Sequence, residues 1–167
     1  MPIPLAYLIT FTCYGTRLRG DEGGSVDRDH NIPGTAFLSP NPSRVFAQQE
    51  RMNQEASELD QEERDLVLES IRNVCAQREW VLRAVHVRST HAHLVVAAPV
   101  PPEKVLNDVK AYSSRILNRA NREWADRRRW ARHGSTRYLW KPESVRAAIE
   151  YVVHEQGKPM AVWWERG

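Results

Sequence analysis

The chain has 167 residues, a formal net charge of +3 and two cysteines, and it is 41% hydrophobic, which is enough for one domain with a real core. Cys13 and Cys75 stand alone without a CxxC spacing, which excludes a disulfide framework and fits a reducing cytoplasm. No stretch approaches the length needed to cross a bilayer, and the apolar run from Met1 to Tyr14 lacks a basic leader and carries Thr10 and Thr12, so it reads as a strand and not as a signal peptide.

In that opening strand Leu5, Tyr7, Ile9, Phe11 and Cys13 alternate with Ala6, Leu8, Thr10, Thr12 and Tyr14, which gives one apolar and one mixed face. Periodicity then stops, and a long loop is expected around residues 15–58, a candidate substrate-facing or interface element. Its cluster of Asp21, Glu22, Asp27, Asp29 and Asn31 lacks a glycine after Asn31, and Leu38 stands where a calcium loop needs its closing Glu, so calcium is rejected. Asp60 with Glu63 three residues on is a helix-start signature, and Val67, Ile71, Val74 and Arg78 follow at helical spacing.

Val81 to Ala98 reads as two strands around a tight turn and holds three of the six histidines. Strand geometry sends His91 and His93 out of one face, with Leu94 and Val96 on the other. Two imidazoles so spaced can converge on a metal ion or a phosphate, while the bland alternative is a half-solvated sheet face. If the turn is Ser89-Thr90, His86 falls opposite His93 and a third imidazole stands beside the pair. A histidine-triad hydrolase needs a further His where Val95 stands, and a two-histidine phosphoesterase needs two His-x-Thr/Ser repeats that are missing.

Pro99, Pro101 and Pro102 stop the second of these strands and open a helix with Val105, Val109, Tyr112 and Ile116 as its buried stripe. Gly134 to Trp140 is a fourth strand that exposes Arg137 and buries Leu139. A last helix runs from about Ser144 to Gln156, closed by Gly157, with Val145, Ala148, Ile149 and Val152 toward the sheet. The order is strand, helix, strand, strand, helix, strand, helix, the split βαβ pattern of an α+β, ferredoxin-like fold. An antiparallel sheet of four or five strands with helices packed on it, in a single domain over 1–167, is expected.

Charge is unevenly placed. Pro101 to Arg146 holds twelve basic and five acidic residues, whereas Ala47 to Glu79 holds four basic and nine acidic. The basic segment suggests a polyanion partner, with Lys104, Lys110, Arg115, Arg119, Arg127, Arg128, Arg129, Arg137 and Lys141 as candidate contacts. Trp124, Trp130, Tyr138 and Trp140 interleave with them, which suits base stacking. A solvated helix face is the alternative.

These elements, with a His-hydrophobic-His strand and a C-terminal helix bearing Tyr151, resemble the single-tyrosine HUH transposases, including the IS200-like and REP-associated tyrosine transposases. The likeness runs through YLITFTCYGT, THAHLVV, LNDVKAYSSRILNRAN, STRYLW and AIEYVVHEQG. It implies that His91 and His93 hold Mg²⁺ or Mn²⁺ against the scissile phosphate of single-stranded, hairpin-forming DNA. It also implies that Tyr151 attacks to give a 5′-phosphotyrosine and a free 3′-OH. The chemistry is coherent, because a cation neutralises charge building on the phosphate and favours the phenolate of a nearby tyrosine. A homodimer is implied, since the tyrosine helix of this family often serves the partner subunit, with a monomer as the alternative; the setting is the bacterial cytoplasm, at the nucleoid.

Tyr112 sits among Lys110, Arg115 and Arg119 but falls on the apolar stripe of its helix, so its reading is a core tyrosine. The family pattern has a Gln or Asn four residues after the tyrosine as third metal ligand, where this chain has Glu155 and then Gln156. Residue type selects Gln156, with Glu155 as the alternative and His154 a distant third. Two function classes therefore stand: a DNA-cleaving strand transferase, or a catalytically inactive, domesticated DNA-binding domain. An RNA-recognition sheet is weaker, because its core strands need exposed aromatics where this chain has His91, His93 and Val95.

Overall fold

In a computed structural model of the chain, residues 2–15, 56–121 and 127–166 are described. The expected loop around 15–58 falls almost wholly outside them, as do Arg122 and Trp124. Among the described residues eight elements follow in order: β1 (Ala6–Thr12), α1 (Gln61–Gln77), β2 (Val81–Val87), β3 (His91–Ala97), α2 (Pro102–Ala120), β4 (Ser135–Leu139), α3 (Pro142–His154) and β5 (Ala161–Trp164). The sheet order is β4-β1-β3-β2-β5 with every pairing antiparallel. The first four strands are thus the expected ferredoxin-like arrangement, and β5 extends it at the free edge of β2.

Local signals set the element boundaries. Asp60 accepts from the Glu63 amide while the Glu63 carboxylate accepts from the Asp60 amide, a complete capping box at the start of α1. Pro102 and Pro142 begin α2 and α3, where a missing N–H costs nothing. Arg88 N donates to His91 O across Ser89-Thr90 at 2.8 Å, the two-residue turn that pairs β2 with β3.

The two sheet faces carry separate cores. Ile9, Phe11, Leu94, Val96, Val85 and Val87 pack under α1 and α2 with Val67, Ile71, Val105 and Val109. Ala6, Ala84, Val95 and Leu139 pack under α3 with Ala148, Val152 and Val153. On α2 the buried stripe differs from the expected one. Val105 and Val109 are joined by Leu106, Ser113 and Leu117, while Tyr112 and Ile116 lie at its partly buried edge. The helix is rotated slightly so that Leu117 reaches the core.

Trp130 also departs from the sequence reading. It is buried against Phe11, with ring centroids 5.1 Å apart, and its indole N–H donates to Ser114 Oγ at 2.9 Å. It is therefore core and not a stacking surface. Tyr138 and Trp140 do stand exposed at the β4 edge.

Candidate active site

The α3 face of the sheet is apolar at one end and polar at the other. Along β3 that face reads Ala97, Val95, His93, His91, and the β1 residues opposite the last three are Leu8, Thr10 and Thr12. The polar end is where α3 finishes, and there a cavity of about 420 Å³ is lined by Thr10, Thr12, Thr90, His91, His93, Tyr151 and Gln156. The His91 and His93 rings are 4.8 Å apart centre to centre, and the Tyr151 ring is 5.5 Å from that of His93. Strand period and helix register thus bring together residues 58 positions apart in the chain.

Each imidazole has a threonine hydroxyl at Nδ1. Thr10 Oγ1 is 2.7 Å from His93 Nδ1, and Thr90 Oγ1 is 3.1 Å from His91 Nδ1. A hydroxyl that accepts Nδ1–H fixes the tautomer with its lone pair on Nε2. Sequence reasoning singles out none of these threonines as site residues. The mixed face of β1 is visible as alternation, but that it lies beside the histidines depends on β1 pairing β3.

The third imidazole behaves differently. His86 is opposite His93, as the turn implied, yet it is fully buried. Its Nδ1 bonds Val152 O at 2.9 Å and its Nε2 accepts the Met160 amide at 3.0 Å. Both nitrogens are spent, so His86 is no ligand; it ties the end of α3 and the approach to β5 onto β2. Burial pushes its pKa below the ordinary value of 6.5, against a raising contribution from the Val152 carbonyl.

Gln156 lines the cavity, and its Nε2 donates to Tyr151 O at 3.1 Å. Glu155, at the C-cap of α3, is exposed and does not line it. His154 packs its ring on Trp164, 5.7 Å between centroids, away from the pair. Among the described residues no three His, Cys, Asp or Glu side chains converge, and the cavity brings the side chains of His91, His93 and Gln156 together in its lining. Tyr112 sits on α2, on the opposite face of the sheet, with the Arg115 guanidinium 4.6 Å from its ring centre.

A family model described as "Transposase IS200 like" matches residues 45–151, which is more than half of the chain. The chain belongs to the IS200-like transposase family. The matched span of this transposase chain contains His91, His93 and Tyr151 and stops short of Gln156. The solved structure of a REP-associated tyrosine transposase bound to a REP hairpin aligns with a TM-score of 0.52 at 10% identity, covering 92% of this chain and 67% of that one. That likeness establishes the shared α+β fold. A Deinococcus radiodurans R1 protein assigned as a transposase aligns with a TM-score of 0.45 at 16% identity over 93% of both chains. No curated relative matches the sequence.

The basic residues of the transposase chain divide by location. Lys104, Lys110, Arg115 and Arg119 ride on α2, across the sheet from the histidines. Lys104 pairs with Asp108 at 3.1 Å, and the Lys110 ammonium, partly buried, donates to the carbonyls of Ala131 and His133. Arg128 covers the Tyr14 ring at 5.4 Å, and Arg127 is exposed beside it in sequence. Arg129 is a correction. It is 5% exposed, 3.5 Å from the Glu63 carboxylate and 3.3 Å from Asn118 Oδ1, so it anchors the loop before β4 to α1 and has no face to offer a phosphate. Arg137 lines a second cavity that shares Thr10 and Tyr151 with the first, and Lys141 is exposed at the N-cap of α3.

Proposed function

We propose that the chain is a divalent-cation-dependent endonuclease and strand transferase for single-stranded, hairpin-forming DNA, with Tyr151 as nucleophile. The observation that carries this is the Tyr151 ring 5.5 Å from His93 in one cavity with His91 and Gln156, in a chain of the IS200-like transposase family. The hairpin in the solved structure of the REP-associated transposase supports the choice of DNA.

His91 and His93 through Nε2, and Gln156 through its amide oxygen, are the residues that would hold Mg²⁺ or Mn²⁺. Two imidazoles and one carbonyl leave positions open for substrate oxygens. When bound, the ion would offset negative charge on the scissile phosphate as its pentavalent transition state forms. Thr10 and Thr90 orient the two rings from behind. The bond that forms joins Tyr151 Oη to phosphorus, and the bond that breaks is P–O3′. The phenolic proton leaves to solvent and the departing O3′ takes one up, which gives a 5′-phosphotyrosine and a free 3′-OH. The phosphotyrosine keeps the energy of the phosphodiester, so a 3′-OH can reverse the step without a nucleotide cofactor.

On this reading Arg128, Arg137 and Lys141 guide the strand from the histidine side, with Arg127 beside Arg128 in sequence, and Arg115 and Arg119 of α2 form a separate basic surface for the duplex part of a hairpin. Incubation with labelled single-stranded hairpin DNA and Mn²⁺, followed by denaturing gels, tests the proposal. A covalent protein–DNA band that requires the cation is expected. DNA binding without any adduct would leave an inactive DNA-binding domain as the function.

A further inference from the structure

Beside the histidine cavity lies a second one of about 640 Å³ between β1, β4 and α3, lined by Leu8, Arg137, Leu139, Glu143, Ala147 and Tyr151 together with Ser135, Ser144, Ala148 and Thr10. Tyr151 and Thr10 line both, so the second cavity is within reach of a nucleotide next to a phosphate held at the histidines. The lining is apolar where Leu8, Leu139 and Ala148 belong to the core under α3, which suits a flat ring. Among the described residues its two charged groups, Arg137 and Glu143, are opposite in sign. Neither Arg137 nor Glu143 has an ion-pair partner among the described residues.

Glu143 is exposed in the first turn of α3, where the helix N-terminus favours a carboxylate, and on a path for DNA it repels the phosphates that approach it. A carboxylate only accepts hydrogen bonds. What it can gain from is the donor edge of a base. Guanine offers N1–H and an N2 amine side by side, and adenine and cytosine offer one exocyclic amine. Thymine offers a single N3–H between two carbonyl oxygens that repel the carboxylate. Arg137 supplies the complementary charge for the phosphate of the same nucleotide.

We infer that this second cavity is a base pocket for the nucleotide next to the scissile phosphate, in which Glu143 selects a base with an amino edge, guanine best, and disfavours thymine. Its position along the strand rests on the proposed cleavage reading, whereas the base preference does not.

The test uses fluorescein-labelled oligothymidylate, all-T or with one central guanine, adenine or cytosine, binding to the full chain in Mg²⁺ by anisotropy. The single guanine should tighten binding about tenfold over all-T, the scale of one good bidentate contact. Glu143→Gln should abolish that increment while all-T affinity holds or rises, because a repulsive charge has gone. Ala147→Leu, at an exposed helix position, should abolish it by filling the pocket. Equal affinity for all four oligonucleotides in wild type, or an increment that survives both substitutions, overturns the inference. A guanine increment in a protein that forms no adduct supports the pocket while the cleavage reading falls. An adduct without base preference does the reverse.

Discussion

Thr10 Oγ1 lies 2.7 Å from His93 Nδ1, directly across the β1–β3 ladder. The hydrogen bond makes β1 part of the cavity that holds His91, His93, Tyr151 and Gln156. Thr10→Val keeps the shape and removes the hydroxyl, so the fold should persist while Mn²⁺ affinity falls about tenfold or more, the usual cost of losing an outer partner of a ligand histidine. Titration calorimetry of the two proteins measures this. Equal affinities would mean that the hydroxyl does not orient the ring.

His86 predicts a pH dependence of stability. Its folded pKa lies below 6.5, so the unfolded chain takes up its proton first as pH falls. Its contribution is complete above about pH 6.5 and is lost progressively as pH drops below that value toward the folded pKa. His86→Ala should cost roughly 3 kcal/mol at neutral pH, because Val152 O and the Met160 amide both lose a buried partner. It should also flatten the acid limb of a plot of melting temperature against pH. A variant with an unchanged acid limb would assign that limb to other groups.

Gly134 precedes β4, and a Cβ there would meet Thr10 O at 2.7 Å and Leu106 Cδ2 at 3.1 Å. The first of these atoms is backbone and cannot swing away. Gly134→Ala should therefore destabilise the fold by roughly 1–3 kcal/mol, read by denaturant melts. Because Thr10 also holds His93, Mn²⁺ affinity should fall in the same variant.

The arginine run from Arg127 to Arg129 should split into two behaviours. Arg129→Ala breaks an ion pair that is buried on the arginine side and should cost roughly 2 kcal/mol, less than a fully buried pair because Glu63 is partly solvated. Arg127→Ala with Arg128→Ala should leave stability nearly unchanged and flatten the salt dependence of single-strand binding, by about 0.7 in slope for each phosphate that is no longer neutralised. A triple replacement would confuse the two effects.

Much of the architecture was legible because it rests on short-range rules. The alternation in β1, the Asp60-Glu63 box, the two-residue turn after Arg88 and the helical spacing in α3 each specify an element and its inward face. From these follow the order of elements along the chain, with its ferredoxin-like pattern, and the shared face of His91 and His93. What was not legible depends on distant partners. The sequence order of elements lacked β5, a four-residue strand whose Ala161, Val162, Trp163 and Trp164 show little alternation and acquire meaning only beside β2. Pairing in sequence suggested His86 as a third imidazole, but Val152 and Met160, 66 and 74 residues away, claim both its nitrogens. Arg129 and Trp130 looked like surface because their neighbours are charged, and they are interior because Glu63, Asn118 and Phe11 receive them.

On the proposed mechanism Tyr151 is the residue that becomes bonded to DNA. Tyr112 provides the control, since it lies across the sheet on α2 with its ring against Arg115, while Tyr151 is 39% exposed and lines the histidine cavity. With labelled hairpin DNA and Mn²⁺, Tyr151→Phe should lose the covalent band while its melting temperature and DNA affinity stay close to wild type, and Tyr112→Phe should keep the band. Loss of the adduct in Tyr112→Phe with retention in Tyr151→Phe would contradict the account.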